Sequence, residues 1–238
     1  MSEEPVSAAT KADVKYTDLQ DDTDESHWKV LGRVSSGERV LEVGASTGYM
    51  TEALIARGCD VVALEPNTNA VALAHARGVP VRCAFLADIK DGLGRFDVVL
   101  LVDVIEHVPD APAMLRDCLD VLGPGGRIIV SVPNIAHWST RWSLLRGHFD
   151  YTRTGLLDDT HVRFYTARSL EALCALVGLE VSERDTTLGL FTYGAVPPWL
   201  NRAVNVSWYR RRLVRALARR RPALFGFQNV WVLRPLDA

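Results

Sequence analysis

The sequence has few cysteines, little net charge and no long apolar run. Its four cysteines (Cys59, Cys83, Cys118 and Cys174) are scattered without a close pair, which is typical of reduced, mostly buried thiols rather than of a disulfide framework. No apolar run approaches the roughly 20 residues that a membrane-spanning helix needs. The stretch from Met1 to Pro5 is acidic and lacks the regions of a signal peptide. These absences predict a cytoplasmic protein without a membrane span.

An excess of charge of either sign is also missing. The formal net charge is −2 over 238 residues, which argues against a general nucleic-acid binder. Apolar residues make up 48% of the chain, so a packed core is expected. The length suits one substantial domain with insertions.

Residues 39–50 read as a strand, a tight turn and the start of a helix. Val40 and Leu41 favour a buried strand, and Gly44 and Gly48 allow backbone angles and close approaches that a Cβ would block. Such a unit opens a doubly wound α/β fold, in which ligands bind at the carboxyl ends of the strands. The spacing does not match the dinucleotide fingerprint G-x-G-x-x-G, and the glycines alone fit an ordinary βα turn as well.

A second apolar strand, residues 61–64, leads to Glu65, about 20 residues after Gly44. An acid at that place accepts hydrogen bonds from the ribose hydroxyls of a nucleoside. Asp88 and then another apolar strand, Phe96 to Val102, follow; the length of this apolar run suits a sheet buried on both faces.

The motif Glu42-x-Gly44-x-x-x-Gly48, followed by Glu65, Asp88 and Phe96-Asp97-Val98-Val99, resembles the class I S-adenosylmethionine-dependent methyltransferases. The resemblance runs from about Val40 to Val181. It implies an α/β fold with a Rossmann-like, doubly wound, seven-stranded sheet of strand order 3-2-1-4-5-7-6, the last strand antiparallel, with helical insertions.

The resemblance also implies a set of cofactor contacts. The glycine turn would pass under the methionine part of S-adenosylmethionine, Glu65 would hold the ribose, and Asp88 would meet the adenine amino group. Ser46 stands where the family usually has a third glycine, a mild departure because serine is small. The residues implied to contact the cofactor are Glu42, Gly44, Ala45, Gly48, Tyr49, Glu65, Pro66, Asp88, Ile89 and Asp103.

Asp103, Glu106 and His107 follow the predicted fourth strand, and His161 lies further along the chain. Carboxylate oxygens and imidazole nitrogens suit Mg²⁺, Mn²⁺ or Zn²⁺. The spacing resembles the E-x-x-E-H motif of the small-RNA terminal 2′-O-methyltransferases and of the ubiquinone-pathway catechol O-methyltransferases. In the RNA group a further downstream histidine completes a four-ligand site, so the resemblance implies a site for Mg²⁺ or another divalent cation made by Asp103, Glu106, His107 and His161. Aspartate in place of the first glutamate departs from the motif, because its side chain is shorter.

A reading without metal stays open, since Glu-His after strand four also occurs in class I methyltransferases that use none. In those, Glu106 and His107 would orient a helix or touch the substrate. An alcohol nucleophile still needs a base, because its own proton is held tightly. The catalytic candidates are therefore His107, His161 and Glu106, with one of the histidines as the general base.

Two insertions depart from the minimal fold. Residues 135–165 are rich in aromatic side chains and form either a substrate lid or a packed surface elaboration. Residues 189–228 carry an arginine-rich helical pattern, Arg202 to Arg221, which either faces an anionic partner or membrane surface or is a solvated helix face. The predicted division is an acidic segment with a cap helix over residues 1–37 and a methyltransferase domain over residues 38–238.

The remaining elements follow from turn and cap signals. Helices are predicted at about residues 26–34, 49–57, 67–78, 111–122 and 167–177, and strands at 79–84, 127–132, 179–183 and 229–234.

Residues 157–165 and Val132-Pro133-Asn134 are similar to methyltransferases of polysaccharide and glycosylated natural-product pathways. The resulting expectation is methyl transfer to a hydroxyl of a sugar or glycosylated metabolite, with a divalent cation as an optional aid and no nucleic-acid partner. The alternatives are a catechol-type or N- or C-methyltransferase, and a non-catalytic protein that only binds the cofactor.

Overall fold

The protein was analysed as a computed structural model, which describes residues 25–188 and 215–236. Its centre is a seven-stranded sheet of order β3-β2-β1-β4-β5-β7-β6. The strands are β1 Arg39–Val43, β2 Asp60–Leu64, β3 Val81–Arg82, β4 Phe96–Val102, β5 Leu122–Pro133, β6 Leu179–Thr186 and β7 Gln228–Pro235. The strand β7 runs antiparallel to both of its neighbours. The predicted fold and strand order are therefore confirmed.

Helices surround this sheet. They are α1 Ser26–Leu31, α2 Tyr49–Ala56, α3 Thr68–Ala76, α4 Leu86–Ile89, α5 Ala111–Asp120, α6 Trp138–Leu145, α7 Ala167–Leu176 and α8 Pro222–Phe225, with short 3₁₀ turns at Lys90–Gly92 and Ile105–His107. Residues 215–220 are also helical. No helix in the described part of the chain is long and apolar enough to cross a bilayer.

Both faces of the sheet are covered, as the apolar run of β4 predicts. Val98 and Leu100 are buried in a cluster with Leu31 of α1 and Leu54 of α2. Side chains in β4 alternate between faces, and Val99 belongs to a second cluster together with residues of α5 and α7. A parallel sheet buried on both sides is the arrangement that β4 requires.

Helix starts follow the capping rules. The Asn67 side chain accepts hydrogen bonds from the backbone of Asn69 and Ala70 at the start of α3. Thr166 and Ser169 form a reciprocal capping box at the start of α7, as the sequence predicts for Thr166. Such caps satisfy backbone donors that a helix leaves unpaired and stabilise it by about 1 kcal/mol.

Several predicted boundaries were wrong. Helix α1 ends at Leu31, α5 ends at Asp120 and β3 is limited to Val81–Arg82. Strand β6 starts at Leu179 as predicted and continues to Thr186. Residues 123–126, expected to precede β5, lie within it, because Leu122 pairs with Phe96 before a register shift brings Arg127 opposite Val98. Pairing across the sheet sets the limits of the strands, and local sequence patterns do not report it. Helix ends are commonly displaced by one or two residues.

Some predictions fall wholly or partly outside the described residues. The acidic segment before residue 25 and most of the arginine-rich insertion, residues 189–214, are among them. The division between residues 37 and 38 and a membrane contact through the arginine-rich segment stay predictions. Within residues 135–165 the structure places α6 and, after it, a segment of turns and bends. At its end Tyr165 forms an isolated bridge with Asn134, directly after β5.

Candidate active site

A cavity opens where the carboxyl ends of β1, β4, β5 and β6 meet the start of β7. Its wall combines residues from the turn after β1, helix α1, the 3₁₀ turn after β4 and the segment around His161. The lining residues are Glu25, Ser26, His27, Gly44, Ser46, Tyr49, Val102, Asp103, Glu106, His107, Pro133, Gly155, Leu156, His161, Thr187, Phe227 and Gln228. This is the edge at which doubly wound sheets bind ligands.

The turn after β1 is tied to β2 through its backbone. The N–H groups of Gly44 and Ala45 both donate to the Leu64 carbonyl, at 2.8 and 2.9 Å. Gly44 has φ of 79°, and a Cβ added to it would stand 2.6 Å from Val104 Cγ2. Glycine is therefore required at residue 44 by both its backbone angle and the lack of space.

Glu65 supports the turn from the next strand. Its carboxylate accepts the backbone N–H of Ser46 at 2.9 Å and that of Asn67 at 2.8 Å. Each oxygen of a carboxylate can accept more than one hydrogen bond, so a role in ribose binding remains compatible with these contacts.

Glu42 lies beneath the turn, away from the cavity. Its carboxylate is 4% exposed and accepts the Thr51 hydroxyl at 2.6 Å. Burial raises the pKa of Glu42 to about 7, with a further contribution from the charge of Glu65. The structure thus gives Glu42 a supporting position.

The predicted cofactor residues divide into two groups. Gly44, Tyr49 and Asp103 line the cavity. The others lie outside its wall: Glu42, Ala45, Gly48, Glu65, Pro66, Asp88 and Ile89. Asp88 is exposed on α4, beyond the carboxyl end of β3. Their contacts with a cofactor stay predictions.

Asp103 lines the same cavity but is hydrogen-bonded to residues of the sheet. Its Oδ1 accepts hydrogen bonds from the Ser131 hydroxyl at 2.5 Å and from Gln228 Nε2 at 2.9 Å. Asp103 has φ of 54°, in the left-handed region that aspartate tolerates better than most residues. It is absent from the group of potential metal ligands that the described residues form, so the four-residue metal site predicted from the sequence is not assembled.

Glu106, His107 and His161 are brought together. One donor atom from each lies within 4.8 Å of the others, and the two imidazole rings meet edge to face with centroids 4.8 Å apart. Within the described structure, both carboxylate oxygens of the buried Glu106 and the Nδ1 of His161 have no hydrogen-bond partner. Buried polar atoms without partners are costly and mark a place where a ligand, an ion or a proton would be stabilised.

Backbone contacts hold this group in place. The Glu106 carbonyl accepts the N–H groups of Val162 and Arg163, both at 3.0 Å. His107 Nδ1 lies 3.1 Å from the Thr160 carbonyl, so Nδ1 carries the hydrogen and Nε2 keeps its lone pair. These hydrogen bonds therefore hold the 3₁₀ turn after β4 against the segment around His161.

The electrostatics of the group follow from its burial. Burial raises the pKa of Glu106 well above its ordinary value, and the charge of Asp103 adds to the effect. Burial and the neighbouring His107 lower the pKa of His161. Both shifts disfavour charge, which leaves His161 neutral and able to accept a proton.

The group fits a transition-metal ion better than Mg²⁺. Its donor set is one carboxylate and two imidazoles, which suits Zn²⁺, Mn²⁺ or Fe²⁺, whereas Mg²⁺ prefers oxygen ligands. With bonds of about 2.1 Å, ligand atoms stand at most about 4.2 Å apart. A separation of up to 4.8 Å therefore requires a small inward movement of at least one side chain.

The cavity wall also holds residues that were not predicted for the site from the sequence, among them His27, Thr187, Phe227 and Gln228. His27 lies on the predicted cap helix, and its proximity to Tyr49 depends on how α1 packs. The other three come from the end of β6 and the start of β7, and antiparallel pairing of β7 with β5 brings Gln228 opposite Pro133. No local sequence motif predicts that these residues reach the cavity.

The aromatic segment of residues 135–165 contributes to the wall through Gly155, Leu156 and His161. Phe149 meets Tyr151 and Phe164 edge to face, each at 5.7 Å between centroids, and Phe164 lies 6.0 Å from the His161 ring. An aromatic cluster thus adjoins the histidines. Opening and closing of this segment as a lid stays a prediction.

Comparison with known proteins agrees with this architecture. A family model described as a methyltransferase domain matches residues 19–184. A ubiquinone biosynthesis O-methyltransferase of Azorhizobium caulinodans is 33% identical over 159 residues, which are 63% of this chain and 62% of that protein. The protein of the same name from Rhodopseudomonas palustris is 32% identical over 158 residues, 63% of this chain and 61% of that protein. This chain therefore matches about three-fifths of the length of these relatives.

A solved structure shares the fold. The S-adenosylmethionine-dependent methyltransferase of Archaeoglobus fulgidus superposes with a TM-score of 0.60 over 89% of this chain and 92% of that chain, at 16% sequence identity. At this identity the similarity concerns the fold.

Proposed function

This chain belongs to the methyltransferase domain family, and we propose that it is an S-adenosylmethionine-dependent O-methyltransferase acting on a hydroxyl of a small molecule. The observation that carries the proposal is the cavity itself, in which the turn after β1 faces Glu106, His107 and His161. One wall suits the cofactor, and the other offers a base for the acceptor.

Each part of the cavity would have a separate role in methyl transfer. Gly44 and Tyr49 would bound the cofactor, whose sulfonium supplies an electrophilic methyl group. The acceptor hydroxyl would lie between that methyl and the histidines, because displacement at carbon requires an in-line approach. His161 Nδ1, buried and without a partner, would take the hydroxyl proton as general base.

Metal assistance is the finer version of this proposal. Glu106, His107 and His161 would hold the ion, which would lower the pKa of a bound hydroxyl. In that version His161 is a ligand, and the hydroxyl proton would pass to solvent. The orphaned oxygens of Glu106 support this version, because a buried carboxylate without partners is stabilised by a cation.

A phenolic acceptor of the catechol type is the first candidate. The E-x-x-E-H motif resembles that of catechol O-methyltransferases. The relatives reported above, about three-fifths of whose length this chain matches, are named as ubiquinone biosynthesis enzymes. The aromatic cluster of Phe149, Tyr151 and Phe164 adjoins His161 outside the cavity wall, and it would offer an apolar surface to an aromatic acceptor that extends beyond the cavity. The saccharide acceptor rests on the similarity of residues 157–165 alone, and the names of these relatives do not mention one.

The test is methyl transfer from labelled S-adenosylmethionine to matched panels of catechols and sugars, with the product located by mass spectrometry. Turnover of catechols in buffer and its loss in His161→Ala would support the proposal. A methyl group found on nitrogen or carbon would contradict it.

Two further results separate the versions. Unchanged turnover after treatment with a strong chelator would reject metal assistance while leaving the general-base version intact. Binding of S-adenosylmethionine without turnover of either panel would favour the non-catalytic alternative. His148→Ala serves as the control, because His148 is exposed and lies outside the cavity wall.

A further inference from the structure

A hydrogen bond joins helix α1 to the turn after β1 across the edge of the cavity. His27 Nε2 lies 2.9 Å from the Tyr49 hydroxyl, and the two rings meet edge to face with centroids 5.2 Å apart. Tyr49 is the first residue of α2 and directly follows Gly48. Both side chains line the cavity.

Other contacts fix α1 against the sheet. Val30 and Leu31 are fully buried in the core, and Lys29 and Arg33 pair with Asp185 of β6 at 2.9 and 3.0 Å. The first turn of α1 is packed as well, since Ser26 is buried and Trp28 packs against the core. His27 lines the cavity from this turn, beside Glu25 and Ser26, and its imidazole bonds to Tyr49.

We propose that His27 is a positioning residue for cofactor binding. It holds the Tyr49 ring and the first turn of α1 against the turn after β1. The inference rests on the proposed function, because it takes S-adenosylmethionine as the ligand of this turn. Its physical basis is preorganisation: a ring already fixed in its bound orientation loses less conformational freedom when the ligand arrives.

The surroundings of His27 agree with an uncharged pair. Burial lowers the pKa of His27, and the nearby charge of Asp103 opposes this only in part. A neutral imidazole and a phenol hydrogen-bond without a counter-ion. The pair therefore orients Tyr49 without placing a positive charge beside a sulfonium ligand.

The experiment is isothermal titration of the full chain with S-adenosylhomocysteine, using wild type, Tyr49→Phe, His27→Phe and the double variant. Tyr49→Phe keeps the ring and removes only the hydroxyl. A lost hydrogen bond corresponds to roughly three- to tenfold weaker binding. Because the proposed role of the Tyr49 hydroxyl depends on its bond to His27, the double variant should bind no more weakly than His27→Phe alone.

Two controls separate positioning from folding. His27→Gln keeps an amide group near the place of Nε2 and should recover most of the affinity. His75→Phe is the control, because the Nε2 of this exposed histidine also makes a hydrogen bond, 2.8 Å to the Val81 carbonyl, and His75 lies outside the cavity wall. Its affinity should equal that of wild type. The coupling between His27 and Tyr49 should appear in the affinity and be absent from the thermal unfolding of the ligand-free variants.

Each outcome is decisive. Wild-type affinity in Tyr49→Phe and His27→Phe, or additive losses in the double variant, would overturn the role of His27 and leave the proposed function standing. If His27 and Tyr49 were coupled to the same extent in the thermal unfolding of the ligand-free variants, the bond would be structural and would not act on cofactor binding. Failure of the wild-type chain to bind S-adenosylhomocysteine would overturn both proposals.

Discussion

Ser46 and Asp103, at the ends of the neighbouring strands β1 and β4, share a left-handed backbone and line the same cavity. Their φ angles are 49° and 54°, and among the described residues no other non-glycine residue has a positive φ. Such conformations cost about 1–2 kcal/mol for ordinary residues and tend to collect at functional sites. The angle at Ser46 also explains why the family prefers a third glycine at this position.

Replacing Ser46 with glycine should therefore stabilise the chain. Glycine adopts this angle freely but loses more entropy on folding, so we expect a net gain of about 0.5–1 kcal/mol. Urea denaturation of wild type and Ser46→Gly measures this gain in the free energy of unfolding. Ser46→Ala is the matched control, because alanine removes the hydroxyl and keeps the strain. A glycine variant less stable than the alanine variant would contradict the strain argument.

Gly44→Ala should be strongly destabilising. The added Cβ would meet Val104 Cγ2 at 2.6 Å in a backbone with φ of 79°, and overpacking together with the angle should cost about 2–4 kcal/mol. Gly78→Ala is the control, since its φ is 76° and nothing lies within 4 Å of the added Cβ. Chemical denaturation should show a larger loss for Gly44→Ala, and equal losses would mean that Val104 moves aside freely.

The fold was largely predictable from the sequence because its strongest signals are local. The apolar run Phe96–Val102 matches β4 residue for residue, and Thr166 caps α7 as expected. The resemblance to a known family supplied the strand order. The limits of β3 and β5 were not predictable, because they depend on which backbone groups find partners across the sheet.

The candidate site was predictable only in part. The structure brings together Glu106, His107 and His161, three of the four residues that the sequence grouped. The motif after β4 is local, and His161 came from the family pattern. The bonding of Asp103 to the sheet depends on Ser131 and Gln228, which sit on two other strands. His27 was missed for the same reason: its partner Tyr49 is 22 residues away.

The burial of Glu42 predicts a dependence of stability on pH. Its pKa rises from an ordinary 4.5 to about 7, so the folded state holds this proton more tightly than the unfolded state. Its contribution to stability is therefore fully present below pH 4.5 and declines as pH rises towards about 7. The shift corresponds to an upper bound of about 3 kcal/mol.

Glu42→Gln should remove this dependence, because the amide oxygen still accepts the Thr51 hydroxyl and carries no charge. Relative to wild type, the variant should gain little stability at pH 4.5 and up to about 3 kcal/mol at pH 8. Denaturation curves across this range provide the measurement. Glu180→Gln, at an exposed carboxylate, should show no such trend, and a constant difference for Glu42→Gln would contradict the linkage.

Metal binding by Glu106, His107 and His161 can be tested without an acceptor. A ligand that binds the folded state stabilises it by about 2.7 kcal/mol when present at about 100 times its dissociation constant. Zn²⁺ or Mn²⁺ should therefore raise the unfolding temperature in differential scanning calorimetry, and excess chelator should reverse the shift. Mg²⁺ should have a smaller effect, because two of the three donors are nitrogen.

The variants in this experiment separate the predicted ligands from Asp103. Glu106→Gln and His161→Ala should lose the metal-dependent shift, since each removes one of the three converging donors. Asp103→Asn should retain it, because Asp103 Oδ1 is bound to Ser131 and Gln228 and asparagine also tolerates its left-handed backbone. Loss of the shift in Asp103→Asn alone would return Asp103 to the ligand set predicted from the sequence. An unchanged unfolding temperature of the wild type with every ion would leave His161 as a general base without a metal.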